Sequence, residues 1–297
     1  NEGALVITGG SITGNTCNGR GGGIWTERDG FFGSHGTLNI QGNVVITGNT
    51  ASGYPDDVYL NDGQLINMTG PLAKVASIGV STNSPDVSTI TSGYATHNGG
   101  TDPNTFFHSN SDFKLSANGS GEVTQSGPTG NWIDYRAAEF SHVVGSIYYI
   151  ESEEELALLS YRVNKGHSFY RKTIVLNRDL NLSAHEWTPI GKDSFFQGDF
   201  DGNGHTISGM YINANYNYVG LFANVDGLLY ATIQNLSIKK AYVKGNYYVG
   251  GLAGKIYATT SLKNIYCEAR VSGYQDVGGI VGSSLRSITS ADGIPKN

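Results

Sequence analysis

Long apolar runs are missing from this sequence, and cysteine and charge are scarce. No stretch approaches the roughly 20 apolar residues that a bilayer-crossing helix needs, so no transmembrane segment is expected. No charged-then-apolar leader opens the chain at Asn1 either. The 297 residues include two cysteines, Cys17 and Cys267. They stand far apart in different repeats, so they are expected as two free thiols on coil interiors. Charged residues make up 15% of the chain and the formal net charge is -6. That balance lacks the basic stripe that grips a phosphate backbone, which argues against nucleic acid as a partner. What is abundant is glycine, 42 residues, and tyrosine, 18 residues, a composition suited to many short, tightly turned strands.

Internal repetition is the strongest signal. In the N-terminal region Leu5-Val6-Ile7-Thr8-Gly9 and Ser11-Ile12-Thr13-Gly14-Asn15-Thr16 recur as Leu38-Asn39-Ile40 and Val45-Ile46-Thr47-Gly48-Asn49-Thr50, a repeat of roughly 34 residues. Apolar and polar residues alternate inside each copy, as in a strand with one face inward. Gly and Asn at the ends supply the left-handed backbone of a sharp corner. A second pattern reads Val219-Gly220-Leu221-Phe222, Val249-Gly250-Gly251-Leu252-Ala253-Gly254 and Val277-Gly278-Gly279-Ile280-Val281-Gly282, spaced by about 28 to 30 residues. In step with it run Ala231-Thr232-Ile233-Gln234-Asn235-Leu236 and Ser261-Leu262-Lys263-Asn264-Ile265. In-register stacking places Ile233 against Leu262 and Asn235 against Asn264, giving apolar interior ladders and an asparagine ladder at a corner.

These patterns predict an all-β fold, a right-handed parallel β-helix, as two stacked or linked β-helical units. Residues 1–130 would form terminal coils of a first β-helix plus an irregular end segment, because periodicity fades over 83–135 into turn and linker chemistry such as Thr101-Asp102-Pro103-Asn104. Residues 131–297 would form the second β-helix. One short capping helix is expected near residues 152–165. Ser152 and Glu155 form a capping box, Leu156, Leu159 and Val163 share a face, and Gly166 ends it. Its expected use is to cover the open first coil.

Val249-Gly250-Gly251-Leu252-Ala253-Gly254 followed by Ser261-Leu262-Lys263-Asn264-Ile265-Tyr266-Cys267 resembles the GLUG repeat of bacterial surface proteins, named for its occurrence in IgA1-specific metalloendopeptidases. The lead-in through Trp187-Thr188-Pro189-Ile190-Gly191 and Phe200-Asp201-Gly202-Asn203-Gly204 is similar too. The N-terminal half, through Gly21-Gly22-Gly23-Ile24-Trp25 and Asp56-Asp57-Val58-Tyr59-Leu60, resembles coils of polymorphic-outer-membrane-protein and autotransporter β-helices. The GLUG repeat is a non-catalytic part of the proteases that carry it, so the resemblance implies a surface or adhesion role and no active site. A zinc peptidase would need His-Glu-x-x-His, whereas His185-Glu186 is followed by Trp187-Thr188-Pro189.

Asp199, Asp201 and Asn203 mimic the first half of a calcium loop, with Gly204 at the sixth place. Met210, however, stands where the closing Glu belongs. A β-turn between coil strands accounts for them more simply. Asp56 and Asp57 read as corner residues capping backbone amides rather than as an acid-base pair, and His205 is the histidine to check for chemistry. Tyr211, Tyr216, Tyr218, Tyr242, Tyr247 and Tyr248, with Tyr230 and Tyr257, crowd the second array. Exposed, such rings stack on sugar faces or dock a protein; turned inward, they are ordinary β-structure, the weightier reading. No cofactor is implied. The expected function is a non-enzymatic, extracellular or cell-surface β-helix module of a bacterium. It would be adhesin-like or a stalk, with a host or bacterial glycan or a surface protein as partner. A polysaccharide-active lyase or glycoside hydrolase and a pure spacer are the alternatives. The first is distinguished by carboxylates converging in one groove.

Overall fold

The computed structural model describes residues 3–26, 36–82, 88–110, 113–226, 231–257 and 260–285; Tyr230 lies outside them. The chain is mostly β, its parallel sheets winding into a β-helix. It divides into two compact units, Asn1–Gly127 and Pro128–Asn297.

In the first unit, strand Ala4–Thr13 pairs in parallel with Thr37–Thr47, laying Leu5 on Leu38, Ile7 on Ile40 and Ile12 on Ile46. Thr37–Thr47 continues in parallel onto Ile66–Leu72 and Ser77–Thr82. Strand side chains alternate between faces, so stacking like on like turns every apolar position the same way. Leu38, Ile40, Ile46, Ile66 and Ile78 are buried as a result.

The segment expected to be irregular is more ordered than its composition suggests. Val123–Ser126 pairs antiparallel with both Ser88–Thr89 and Lys114–Ala117. Ile90, Tyr94, Phe106, Phe107, Leu115 and Val123 join the core of the coils. These apolar residues are too sparse to show a period, yet all six are buried in the cluster that fills the coils. The segment also contains an unforeseen five-residue helix, α1 (Tyr94–Asn98), which follows Gly93 at a φ of 84°. So short a helix cannot nucleate itself. Its N-terminal amides are held by a distant carboxylate: Glu122 accepts from the backbone N–H of Gly93 and Tyr94, both at 3.0 Å, and of Ala95 at 3.4 Å.

The second unit opens with an antiparallel hairpin, His142–Val144 with Ile147–Ile150. The latter strand then pairs in parallel with Thr173–Leu176. The edge of that first coil strand is therefore paired by the hairpin, while the expected helix covers the apolar interior. That helix, α2 (Glu153–Asn164), starts at Ser152, whose Oγ accepts from Glu155 N at 3.3 Å. The return half of the box is displaced: Glu155 accepts from Glu151 N and Ser141 N, both at 2.6 Å, and so ties the helix start to two loops. Leu156, Leu159 and Val163 pack with Ile150, Ile174 and Leu176.

Beyond it, Ile174, Phe200, Ile233 and Leu262 form one interior ladder. Ile207, Ile238 and Cys267 form another. Cys17 and Cys267 are free thiols, both half-buried; burial, then the charge of Glu268, pushes the Cys267 thiol up to about 12. Gly251, between strands Tyr247–Gly250 and Ala253–Ile256, is glycine because of close approach. A Cβ there would lie 2.4 Å from Cys267 Sγ and 2.7 Å from Gly279 O.

Candidate functional site

Polar side chains on the coils are first of all occupied with joining one coil to the next. In the second unit Asn264 Nδ2 donates to Asn235 Oδ1 at 2.9 Å, and Asn235 Nδ2 donates to Asp201 Oδ1 at 3.0 Å. The first unit repeats the device: Asn15 Nδ2 donates to Asn49 Oδ1, and Asn49 Nδ2 to Asp57 Oδ1, both at 2.8 Å. Each amide donates in the same direction, so the chain must end on a group that only accepts, which an ionised carboxylate does. Asn235 and Asn264 adopt φ of 52° and 50°, a conformation that Asn tolerates better than most residues.

The residues with calcium-loop spacing serve this architecture. Asp201 Oδ1 also accepts from Asn203 N and Asp201 Oδ2 accepts from Gln234 Nε2, both at 2.8 Å. Burial pushes the Asp201 carboxyl upward, but the bonds from Gln234, the Asn203 amide and Asn235 outweigh it and hold it below the usual carboxylate range. Asp199 Oδ1 accepts from Thr232 N at 2.8 Å, and Asn203 Nδ2 donates to Leu176 O at 3.3 Å. Asp199 and Asp201 line a shallow cavity of about 230 Å³ with Thr173, Thr232 and Gln234. Among the described residues, no group of three or more His, Cys, Asp or Glu is placed to hold a metal ion.

His205 faces Asp179 Oδ1 at 3.1 Å, which also accepts from Thr206 N at 2.9 Å. The amide bond, then the histidine, lowers the Asp179 carboxyl. Asp56 and Asp57 are buried, and both cap backbone amides: Gly21 N donates to Asp56 Oδ2 and Asn49 N to Asp57 Oδ1, each at 2.8 Å. Asp57 Oδ2 meets His108 Nε2 at 3.6 Å and accepts from the Asn110 amide at 3.0 Å. Burial raises the Asp57 carboxyl, while the His108 and Asn49 hydrogen bonds bring it below its ordinary value.

The tyrosines divide by direction. Tyr211 and Tyr242 stack at 5.3 Å but are 4% and 8% exposed, so their rings belong to the packed wall. Tyr216 is half-buried under the Lys192 ammonium, 4.4 Å from the ring centre. Its hydroxyl is pushed up to about 12 by burial and then by Glu186 and Asp193. Tyr218 and Tyr248 stack at 4.9 Å with ring planes 8° apart, brought together by the pairing of Val219 with Val249. Both are half-buried and hold φ of 62° and 58°, turned outward at successive corners. Tyr247, 36% exposed, meets Tyr274, 81% exposed, edge to face at 5.5 Å.

Sequence reasoning missed two residues beside this corner. Lys255 places its ammonium 4.9 Å from the Tyr257 ring, 5.2 Å from Tyr248 and 5.9 Å from Tyr218. Phe195 packs edge-on to Tyr257 at 5.4 Å. The one available signal was that Lys255 follows Gly254 directly, where the next repeat has Ser283 after Gly282.

No family model matches the chain, and no solved structure matches it. Over 150 residues, 47% of the chain, it is 29% identical to halomucin of Haloquadratum walsbyi. Over 123 residues, 37% of the chain, it is 32% identical to a putative Gly-rich membrane protein of Evansella cellulosilytica. The matched stretches span 2% and 13% of those relatives' own lengths. No helix among the described residues is long and apolar enough to cross a membrane. The chain is thus a β-solenoid with low-identity likeness to a halomucin and to a Gly-rich membrane protein.

Proposed function

We propose that this chain is a non-catalytic β-helical segment of a cell-surface or secreted protein, adhesin-like in role, whose outward tyrosine corners bind glycan. The observation that carries this reading is the parallel Tyr218–Tyr248 stack, together with the separate, exposed Tyr247–Tyr274 pair. A ring already held by its coil neighbour loses little freedom on binding and offers a flat face to the C–H groups of a sugar. The carboxylates support a structural role. Asp57, Asp179, Asp199 and Asp201 each accept a backbone amide. The two that line one cavity, Asp199 and Asp201, are taken up in hydrogen bonds to the next coil, whereas glycoside cleavage needs two carboxyls free to face one bond. One relative's name is that of a membrane protein and the other's that of a halomucin, both compatible with work at a cell surface. GLUG-type repeats in the second half, autotransporter-like coils in the first and a module boundary between residues 130 and 131 belong to the same proposal.

The test is a glycan array of mucin-type and bacterial polysaccharides, with sugar release followed over time. Specific retention without product, weakened by Tyr248→Ala, is the expected outcome. Released oligosaccharide would establish the polysaccharide-active enzyme instead. Silence across the array would overturn glycan binding and leave a spacer or protein-binding role.

A further inference from the structure

Lys255 stands on strand Ala253–Ile256, which lies between Phe222–Val225 and Val281–Ser284 in a three-stranded parallel sheet. Its in-register neighbours are Asn224 and Ser283. The coil therefore accepts a neutral side chain at this position on either side, and nothing in the repeat geometry calls for a cation. None of the ion pairs among the described residues involves Lys255. Its ammonium is instead surrounded by the rings of Tyr257, Tyr248 and Tyr218.

Gly254 makes the arrangement possible. A Cβ there would lie 2.6 Å from Tyr218 Cα and 2.5 Å from Val219 N, so its absence lets the strand pass against the tyrosine corner and bring Lys255 up to the rings. The same close approach recurs one coil on, at Gly282 against Tyr248 and Val249. There the following residue is Ser283, and the residue after Tyr248 on the corner ladder is Asp276. At this position of the repeat the cation and the three rings come together at Lys255, whereas its in-register neighbours Asn224 and Ser283 carry no charge.

We infer that this cluster is a subsite for an acidic saccharide, a sugar ring bearing one carboxylate or sulfate. The inference rests on the glycan-binding reading above and names its substrate class. The π faces hold the ammonium in place without neutralising it as a carboxylate would, so it remains able to donate a charge-assisted hydrogen bond to an anion. Tyr257, Tyr248 and the edge-on Phe195 supply apolar faces for the ring that carries that anion. One cation, with Asp276 on the next corner and a net charge of -6 over the whole chain, suits one isolated negative charge. It does not suit the dense charge of a polyphosphate or nucleic acid.

The test is calorimetric titration of the purified chain with trigalacturonate, a hyaluronan hexasaccharide, sialyllactose and a chondroitin sulfate hexasaccharide. Each carboxylate ligand is paired with its methyl ester, which keeps the ring and removes the charge. The expected result is binding of at least one acid, weakened by its ester, by raised salt and, roughly 10- to 100-fold, by Lys255→Gln. Lys255→Arg should restore most of it, and the thermal unfolding midpoint of Lys255→Gln should match the native chain. Equal affinity for acid and ester, or an affinity unchanged by Lys255→Gln, would overturn the acidic subsite while leaving glycan binding in force. Absence of binding to all four acids overturns this inference; neutral glycans retained on the array would then separate its failure from that of the glycan-binding reading.

Discussion

Replacing Glu122 by Ala should unfasten one end of the first unit. The carboxylate accepts from Thr91 Oγ1 at 2.8 Å, from Gly93 N and Tyr94 N at 3.0 Å and from Ala95 N at 3.4 Å. Without it, α1 keeps no side-chain acceptor at its N-terminus, since none comes from its own N-cap residue, Gly93. The Thr91 hydroxyl, on a residue 1% exposed, loses its acceptor as well, although it still accepts from Val123 N at 2.8 Å. Loss of an N-cap acceptor costs about 1 kcal/mol. A hydrogen bond to a charged acceptor adds roughly 1.5–3 kcal/mol, and the bonds share one carboxylate, so they do not sum. The net expectation is about 2–4 kcal/mol. With a urea slope of about 2 kcal/mol per molar, the unfolding midpoint falls by roughly 1–2 M. Urea unfolding followed by hydrogen-exchange mass spectrometry reads this directly: amides of Gly93, Tyr94 and Ala95 should lose protection, with peptides around Ile174 and Phe200 unchanged. A change under about 0.5 kcal/mol, the range of ordinary surface substitutions, would refute the claim that Glu122 holds this helix.

Acid should weaken the first unit through Asp57. Its carboxyl lies below the ordinary value of 3.8 in the folded chain, so its contribution is fully present above the unfolded value and disappears as pH falls through the lower folded one. Asp57→Asn should be destabilised at neutral pH and lose that acid-dependent step, as pH-dependent urea curves would show. Gly79→Ala tests the same pocket from outside, because a Cβ would lie 2.0 Å from Asp57 Oδ2 and 2.7 Å from His108 Nε2; a loss of roughly 1–3 kcal/mol is expected in thermal melts. At the second unit's corner, Asn235→Gly should keep the positive φ but break the Asp201–Asn235–Asn264 ladder. Asn235→Ala should be worse by about 1 kcal/mol, the cost of left-handed backbone for a residue with a Cβ. Equal stabilities would show that backbone strain plays no part there.

Register and interior were legible from the residues alone. A strand's side chains repeat every two residues, so copies that keep their alternation can stack in only one way. That logic pairs Leu5 with Leu38 and Ile233 with Leu262, as the folded coils do. The asparagine corner follows from the same register, and α2 was visible because Ser152 and its apolar stripe are local signals. Other features depended on groups far apart in sequence. No local pattern marks α1, whose N-terminal acceptor comes from Glu122. Tyr211 and Tyr242 cannot be told from Tyr218 and Tyr248 by composition or spacing, since both pairs stack across coils. Only the path of the chain at each corner, with the left-handed backbone of Tyr218 and Tyr248, turns one pair outward and leaves the other in the wall. Lys255 acquired its ring neighbours in the same manner, through the close passage of Gly254 against the preceding coil. The repeat period therefore determined which residues share a ladder. The direction each ladder faces was decided by backbone approach between coils, a property of the folded stack.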